Sequence, residues 1–405
     1  MGTSIKLCRI TLSAHNLQRT YSTYFLIMAS KATWEIPQST STVKVSIIDT
    51  TMRSSIPLSL FAGPAIPGLD KLRAPAYSFL ITHRSGDGKE RKLVFDLGIP
   101  VDLEKDFPPG VYQRVQAMKG EGGMMESKKY VSDILTEGGV DLKSIEGVIW
   151  SHANLDHVGR PSLFPSATEL IVGPGVKEAY FPGWPDVESS PILAREFAGR
   201  EVKELKTDDF DLKIGSLKAL DYFGDGSFYF LLAPGHAIGH MNALARTTND
   251  SFIYMAADSF HHTSQLRPHI GAPLPDSVAL HTCTCTASAL KPIHPASNAA
   301  DVPERYHFAF GNFEPTFDQV PFQTIVEHEN GTSIAIDIQA ARDTITAIQE
   351  FDAKPEVFVI AAHDQSLFNV LEYLPAEAND WRAKGWKEKG QWGFLEDLHE
   401  ATKKQ

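Results

Sequence analysis

Val148-Ile149-Trp150-Ser151-His152-Ala153-Asn154-Leu155-Asp156-His157-Val158-Gly159 passes from branched and aromatic side chains straight into a dense patch of nitrogen and oxygen donors. Val148, Ile149 and Trp150 have the character of a buried strand, and the Gly159-Arg160-Pro161 that follows stops a long helix from consuming the segment. The residues from His152 to His157 are therefore expected on the loop at the strand's end. Imidazole and carboxylate are donors that a borderline cation such as zinc accepts, and the adjacent Asp156 and His157 can offer oxygen and nitrogen from one turn. An H-x-x-x-D-H pattern by itself is as compatible with a chance cluster as with a metal site, so partners elsewhere in the chain must decide between the two.

Three further apolar runs end in donors. Phe230-Leu231-Leu232-Ala233-Pro234-Gly235-His236 closes on a histidine, Phe252-Ile253-Tyr254-Met255-Ala256-Ala257-Asp258 on an aspartate, and Val357-Phe358-Val359-Ile360-Ala361-Ala362-His363 on another histidine. Four times a buried-type strand terminates in His or Asp, which is where open α/β folds place their chemistry.

This order of motifs, from about residue 43 to 374, resembles the metallo-β-lactamase superfamily, with Phe95-Asp96-Leu97-Gly98 similar to its early Asp-x-Gly turn. Pro234-Gly235-His236-Ala237-Ile238-Gly239-His240 and Ala257-Asp258-Ser259 look closest to its lactonase-like branch, which holds acyl-homoserine lactonases and many fungal hydrolases. The resemblance implies an α/β four-layer αββα sandwich, one domain with a long insertion. It also implies that His152, Asn154 and His236 match a first metal position, that Asp156, His157 and His363 match a second, and that Asp258 bridges them. The family pattern is H-x-H-x-D-H, and its second histidine is Asn154 here. Asn offers only a neutral amide oxygen, a weaker zinc ligand than imidazole, so one or two zinc ions are expected with occupancy nearer one. His240 matches an outer histidine, and Asp96 reads as a group that orients a ligand.

Composition sets the outer limits. The 405 residues are 42% hydrophobic and 10% aromatic, ordinary for a packed protein, and 38 basic against 50 acidic side chains give a formal charge of −12 without a long basic run. A surface that grips nucleic acid is not expected, nor is a membrane partner, since no stretch is long and apolar enough to span a bilayer. The three cysteines, Cys8, Cys283 and Cys285, do not read as a disulfide framework, which favours a reducing, cytoplasmic setting. Residues 1–40 read as an arm outside the fold. Lys6, Arg9, Arg19 and Lys31 with no acidic residue before Glu35 resemble a mitochondrial presequence, the alternative being a true start at Met28.

The hydrolase domain is expected over residues 41–378, with the Pro- and Gly-rich stretch 57–68 as a loop bordering the pocket. A hairpin is expected over 76–82 and 91–96, a helix over 125–135 and an amphipathic helix over 336–351. Residues 259–330 read as an insertion acting as a lid, and 379–405 as a C-terminal surface tail. His261, three after Asp258, stands where acyl-homoserine lactonases place a tyrosine that touches the substrate carbonyl, and is expected to hydrogen-bond or protonate the substrate.

No G-x-S-x-G elbow or phosphate-cradling loop is present, so hydrolysis by a zinc-activated water is the expected chemistry, with Asp156 passing a proton to the leaving group. The substrate is then a small acyl compound, a lactone first, with a lactam or a cyclic carbamate such as a benzoxazolinone close behind. Two alternatives stand beside it: a thioesterase acting on polyketide carriers, and a non-catalytic binding member that lost activity with Asn154.

Overall fold

Among the described residues twelve strands form two six-stranded sheets, and in each the spatial order is the chain order. The computed structural model describes residues 34–281, 284–297 and 315–402. The arm expected at residues 1–40 lies mostly outside them. In the first sheet β1 (Val43–Asp49), β2 (Tyr77–Arg84) and β3 (Glu90–Phe95) pair antiparallel, and β4 (Ile145–Ile149), β5 (Glu169–Val172) and β6 (Val202–Glu204) continue in parallel. In the second, β7 (Leu212–Ile214), β8 (Leu217–Asp221), β9 (Phe228–Leu232), β10 (Met241–Thr248) and β11 (Ser251–Ala257) are antiparallel. There β12 (Val357–Ala361) adds in parallel beside β11.

The period-2 alternation of side chains explains why the sheets stack. Phe79, Ile81, Leu93, Phe95, Ile149 and Ile171 project from the first sheet into one core with Phe228, Phe230, Met241, Ile253, Met255, Phe358 and Ile360 of the second. Their neighbours Leu80, Val94, Val148, Leu170 and Val172 face the other way, onto Val111 and Val115 of α1 (Pro109–Gly120) and Val131 and Leu135 of α2 (Val131–Glu137). On the far side α3 (Ile338–Asp352), capped by Asp337, sets Phe351 against Tyr254 at 4.8 Å between ring centres. The layers are αββα, as expected.

Three expectations require correction. The helix expected over 125–135 begins only at Val131, because Met124–Glu126 is a strand paired to Arg53–Pro57. The tail from 379 covers the edge of β1, with Asn379 bonding Val45 N–H and the Val43 carbonyl, but it is no surface element. Trp381, Leu395 and Leu398 are wholly buried. Likewise residues 259–269, expected to open a lid, are interior throughout. Among the described residues no helix is long and apolar enough to cross a membrane.

Candidate metal centre

The donors assemble because each sits where a strand of one sheet runs out against the other. His152 and His157 follow β4, His236 follows β9, Asp258 follows β11 and His363 follows β12. The loops are tied to one another by backbone: Leu97 N–H donates to the His157 carbonyl at 2.9 Å, and Met241 N–H to Ser151 at 2.8 Å across the sheets. Ala362 N–H reaches Ala257 at 3.0 Å. The Pro-Gly-His turn is clamped by α3. Asp337 N–H donates to the Gly235 carbonyl at 3.0 Å, and a Cβ on Gly235 would lie 2.0 Å from Ala341 N, so only glycine fits at its φ of +118°.

Asp258 is the hub. Its Oδ1 faces Nε2 of His157 at 3.0 Å and of His363 at 3.2 Å. Its Oδ2 faces Nε2 of His261 at 3.2 Å, His236 at 3.5 Å and His152 at 3.8 Å. Asp156 Oδ2 stands 3.2 Å from His363 Nε2, and His236 and His152 meet at 3.2 Å through their Nε2 atoms. All the sequence-selected donors are thus brought together. Asn154 reaches the rim, its amide 3.0 Å from His236 Nε2. The side chains of the five histidines and Asp258 are at most 4% exposed, whereas Asp156 is 16% exposed and marks the open side.

Around them a polar shell fixes ring orientation. Asp96, held at φ +61°, accepts Ser151 N–H and Oγ–H and the Nδ1–H of His157 at 2.7, 2.8 and 2.8 Å. Ser151 Oγ in turn receives His152 Nδ1–H at 3.0 Å, and Pro75 O receives His363 Nδ1–H at 2.8 Å. Three rings therefore turn Nε2 inward. His240 donates Nδ1–H to Ala233 O at 2.8 Å and accepts Asp258 N–H at 3.3 Å, an outer role as expected.

Charge follows from this geometry. Burial and the neighbouring His157 and His236 hold His152 well below the ordinary imidazole range, and burial does the same to His236. Burial also opposes charge on His363, but Asp258 and Asp156 outweigh it and carry it up to about 10. His157 rises for the same reason, beside Asp258 and Asp96. Asp258 stays well below the carboxylate range despite burial, because His157, His363 and His261 face it.

Such a donor set fits a divalent cation. His261 Nδ1 is buried without a hydrogen-bond partner among the described residues, and His157 Nε2 and Asp258 Oδ1, though 3.0 Å apart, make no well-aligned hydrogen bond, an arrangement that favours a bound cation. Three groups of donors lie within 4.8 Å of one another: His152, His157 and Asp258; Asp156, His157 and His363; His236, Asp258 and His261. His261, expected at the site as a group that touches substrate, belongs to the third of these and so stands among the donors themselves. The signal available was only its spacing of three from Asp258.

A family model described as the metallo-beta-lactamase superfamily matches residues 73–252. Gamma-lactamase FDB1 of Fusarium pseudograminearum is 40% identical over 90% of this chain and 84% of its own. The chain belongs to the metallo-β-lactamase superfamily. It is accordingly an enzyme of a metal-dependent hydrolase family. Cytochrome P450 monooxygenase mpaDE' of Penicillium brevicompactum is 36% identical over 91% of this chain, which spans only 39% of that protein's length. In three dimensions the superfamily fold is shared with a B. thuringiensis AiiA variant solved with N-decanoyl-L-homoserine at its active site. That likeness has a TM-score of 0.52 at 13% identity, covering 83% of this chain and 99% of the other.

Proposed function

We propose that the protein is a zinc-dependent hydrolase that opens a lactone or lactam ring, a benzoxazolinone-type cyclic carbamate being within the same reach. The observation that carries this reading is the convergence of four strand-end histidines on Asp258, with Asp156 against His363 beside them. His152 and His236, with Asn154 at the rim, border one metal position. Asp156, His157 and His363 border the other, and Asp258 lies between them. When bound, zinc supplies a water of lowered pKa and polarises the substrate carbonyl.

The chain's own residues do the rest. Asp96 and Ser151 keep Nε2 of His152 and His157 aimed inward, so the site needs no reorganisation when substrate arrives. In this reading Asp156, the donor most open to solvent, carries a proton to the leaving oxygen or nitrogen as the tetrahedral adduct collapses. Ring opening, with the leaving atom still tethered, is supported by the gamma-lactamase relative and by the lactonase-like fold.

The test is a panel of lactones, lactams, benzoxazolinones and acyl thioesters, assayed with and without prior stripping by chelator. Ring opening of a lactone or lactam that vanishes on stripping and returns with zinc is expected. Turnover confined to thioesters, or indifferent to stripping, would overturn the proposal.

A further inference from the structure

Resting on the metal-dependent reading above, we propose that His261 is a ligand of the first metal position, filling in space the place that the family pattern gives to a histidine at the position of Asn154. The two oxygens of Asp258 divide the imidazoles between them. His157 and His363 face Oδ1, at 3.0 and 3.2 Å, and with Asp156 they make up one set. His261, His236 and His152 face Oδ2, at 3.2, 3.5 and 3.8 Å. The second set is thus complete in nitrogen donors without Asn154, and His261 is its nearest member to the shared carboxylate.

The surroundings of His261 suit a ligand better than a group that meets substrate. Its side chain is 4% exposed, against 16% for Asp156. Phe61 covers the ring at 4.5 Å between centres. The backbone N–H of His261 donates to Gln265 Oε1 at 2.8 Å, and Gln265 Nε2 donates to the Phe61 carbonyl at 3.0 Å, so loop and insertion are locked over the ring together. Asn154, half-buried at the rim, brings an amide whose only acceptor is a neutral oxygen. The departure at Asn154 therefore costs the centre no imidazole, and two ions are expected where the sequence pattern points to one.

The experiment compares wild type with His261→Ala, His261→Gln, Asn154→Ala and the double variant His261→Ala/Asn154→His. Zinc content is read by elemental analysis, zinc affinity by chelator competition, and ligand number by the visible spectrum of the cobalt-loaded protein, with circular dichroism reporting folding. Both His261 variants should weaken one ion by more than the roughly 10–100-fold that follows loss of a group that merely orients a ligand, and should change the cobalt spectrum. Asn154→Ala should weaken it by less than about tenfold, and the double variant should recover most of the loss. Unchanged affinity and spectrum in both His261 variants, or a loss confined to Asn154→Ala, would overturn the assignment while leaving the metal-dependent reading intact. A wild-type protein that binds no divalent ion would sink that reading itself, and this inference with it.

Discussion

Oδ2 of Asp96 and Nδ1 of His157 lie 2.8 Å apart, and the same oxygen takes the hydroxyl of Ser151, so one carboxylate sets the direction of two imidazoles. Replacing Asp96 by Asn is the informative change, because Asn tolerates the left-handed backbone that Asp96 adopts at φ +61°. Asp96→Asn should keep the fold and lower zinc affinity roughly 10–100-fold, measured by chelator competition. Wild-type affinity in a folded variant would show that the rings are oriented by packing alone.

Uptake of the cation should be strongly pH-dependent. His157 and His363 are buried, which opposes charge, yet the facing carboxylates raise both, His363 to about 10. In chelator-stripped protein these rings carry protons at pH 7, and a metal takes their place. Apparent affinity should then strengthen as pH rises from 6 to 8, by about tenfold per unit for each proton released and about 100-fold for two. For the stripped protein the sign is opposite. A raised folded-state value contributes stability that is full below about 6.5 and is lost as pH rises through about 10. A flat affinity profile, or no proton release in weak buffer, would mean the rings are already neutral.

The strand-end donors were legible because two signals coincide: a branched or aromatic run of strand length, and a His or Asp at its end. That is why β4, β9, β11 and β12 and the site they build follow from the sequence. What stayed hidden depends on packing between distant segments. Trp381 and Leu398 read as a surface tail because their partners, Phe358 for Trp381 and Ile56, Leu58 and Phe322 for the cluster that includes Leu398, lie far away in the chain. His261 stands out from His262 and His269 by its spacing from Asp258, but that spacing points to a group that touches substrate, not to one of the donors around Asp258. The structure separates them: His262 bonds Ser264 at 2.7 Å and His269 meets Asp352 at 3.0 Å, both away from the donors on Asp258.

Arg267 anchors the start of the insertion through a buried pair. Its Nε and terminal nitrogen meet both oxygens of Asp352 at 2.8 and 2.5 Å, and its other nitrogen donates to the Gln391 carbonyl at 2.7 Å. Lys387 Nζ donates to the carbonyls of Asp352, Lys354 and Val357 at 2.7, 2.7 and 2.8 Å, joining the C-terminal segment to the same point. Arg267→Met leaves Asp352 charged and underpaired in the interior and should cost about 3–5 kcal/mol in urea unfolding. Arg267→Met with Asp352→Leu should cost less than the single change, because no buried charge is stranded. A double variant as unstable as the sum of both would argue that shape, not charge, holds this joint.

Acid should loosen the protein through two rings that are bonded at both nitrogens in ways only neutral imidazole allows. His294 donates Nε2–H to Val320 O at 2.9 Å and accepts Ala296 N–H on Nδ1 at 3.0 Å, and His240 bridges Ala233 O and Asp258 N–H in the same manner. Burial pushes each down to about 4. A depressed value of this kind gives stability that is present above about 6.5 and lost as pH falls towards 4, worth roughly 3 kcal/mol per ring at 1.36 kcal/mol per unit. His294 is the better probe because it lies outside the metal centre. His294→Gln should be less stable than wild type at pH 7 in urea, yet lose less stability between pH 6.5 and 4, because it has no ring to protonate. If its acid slope matched the wild type's, the protonation of His294 would not be what opposes folding there.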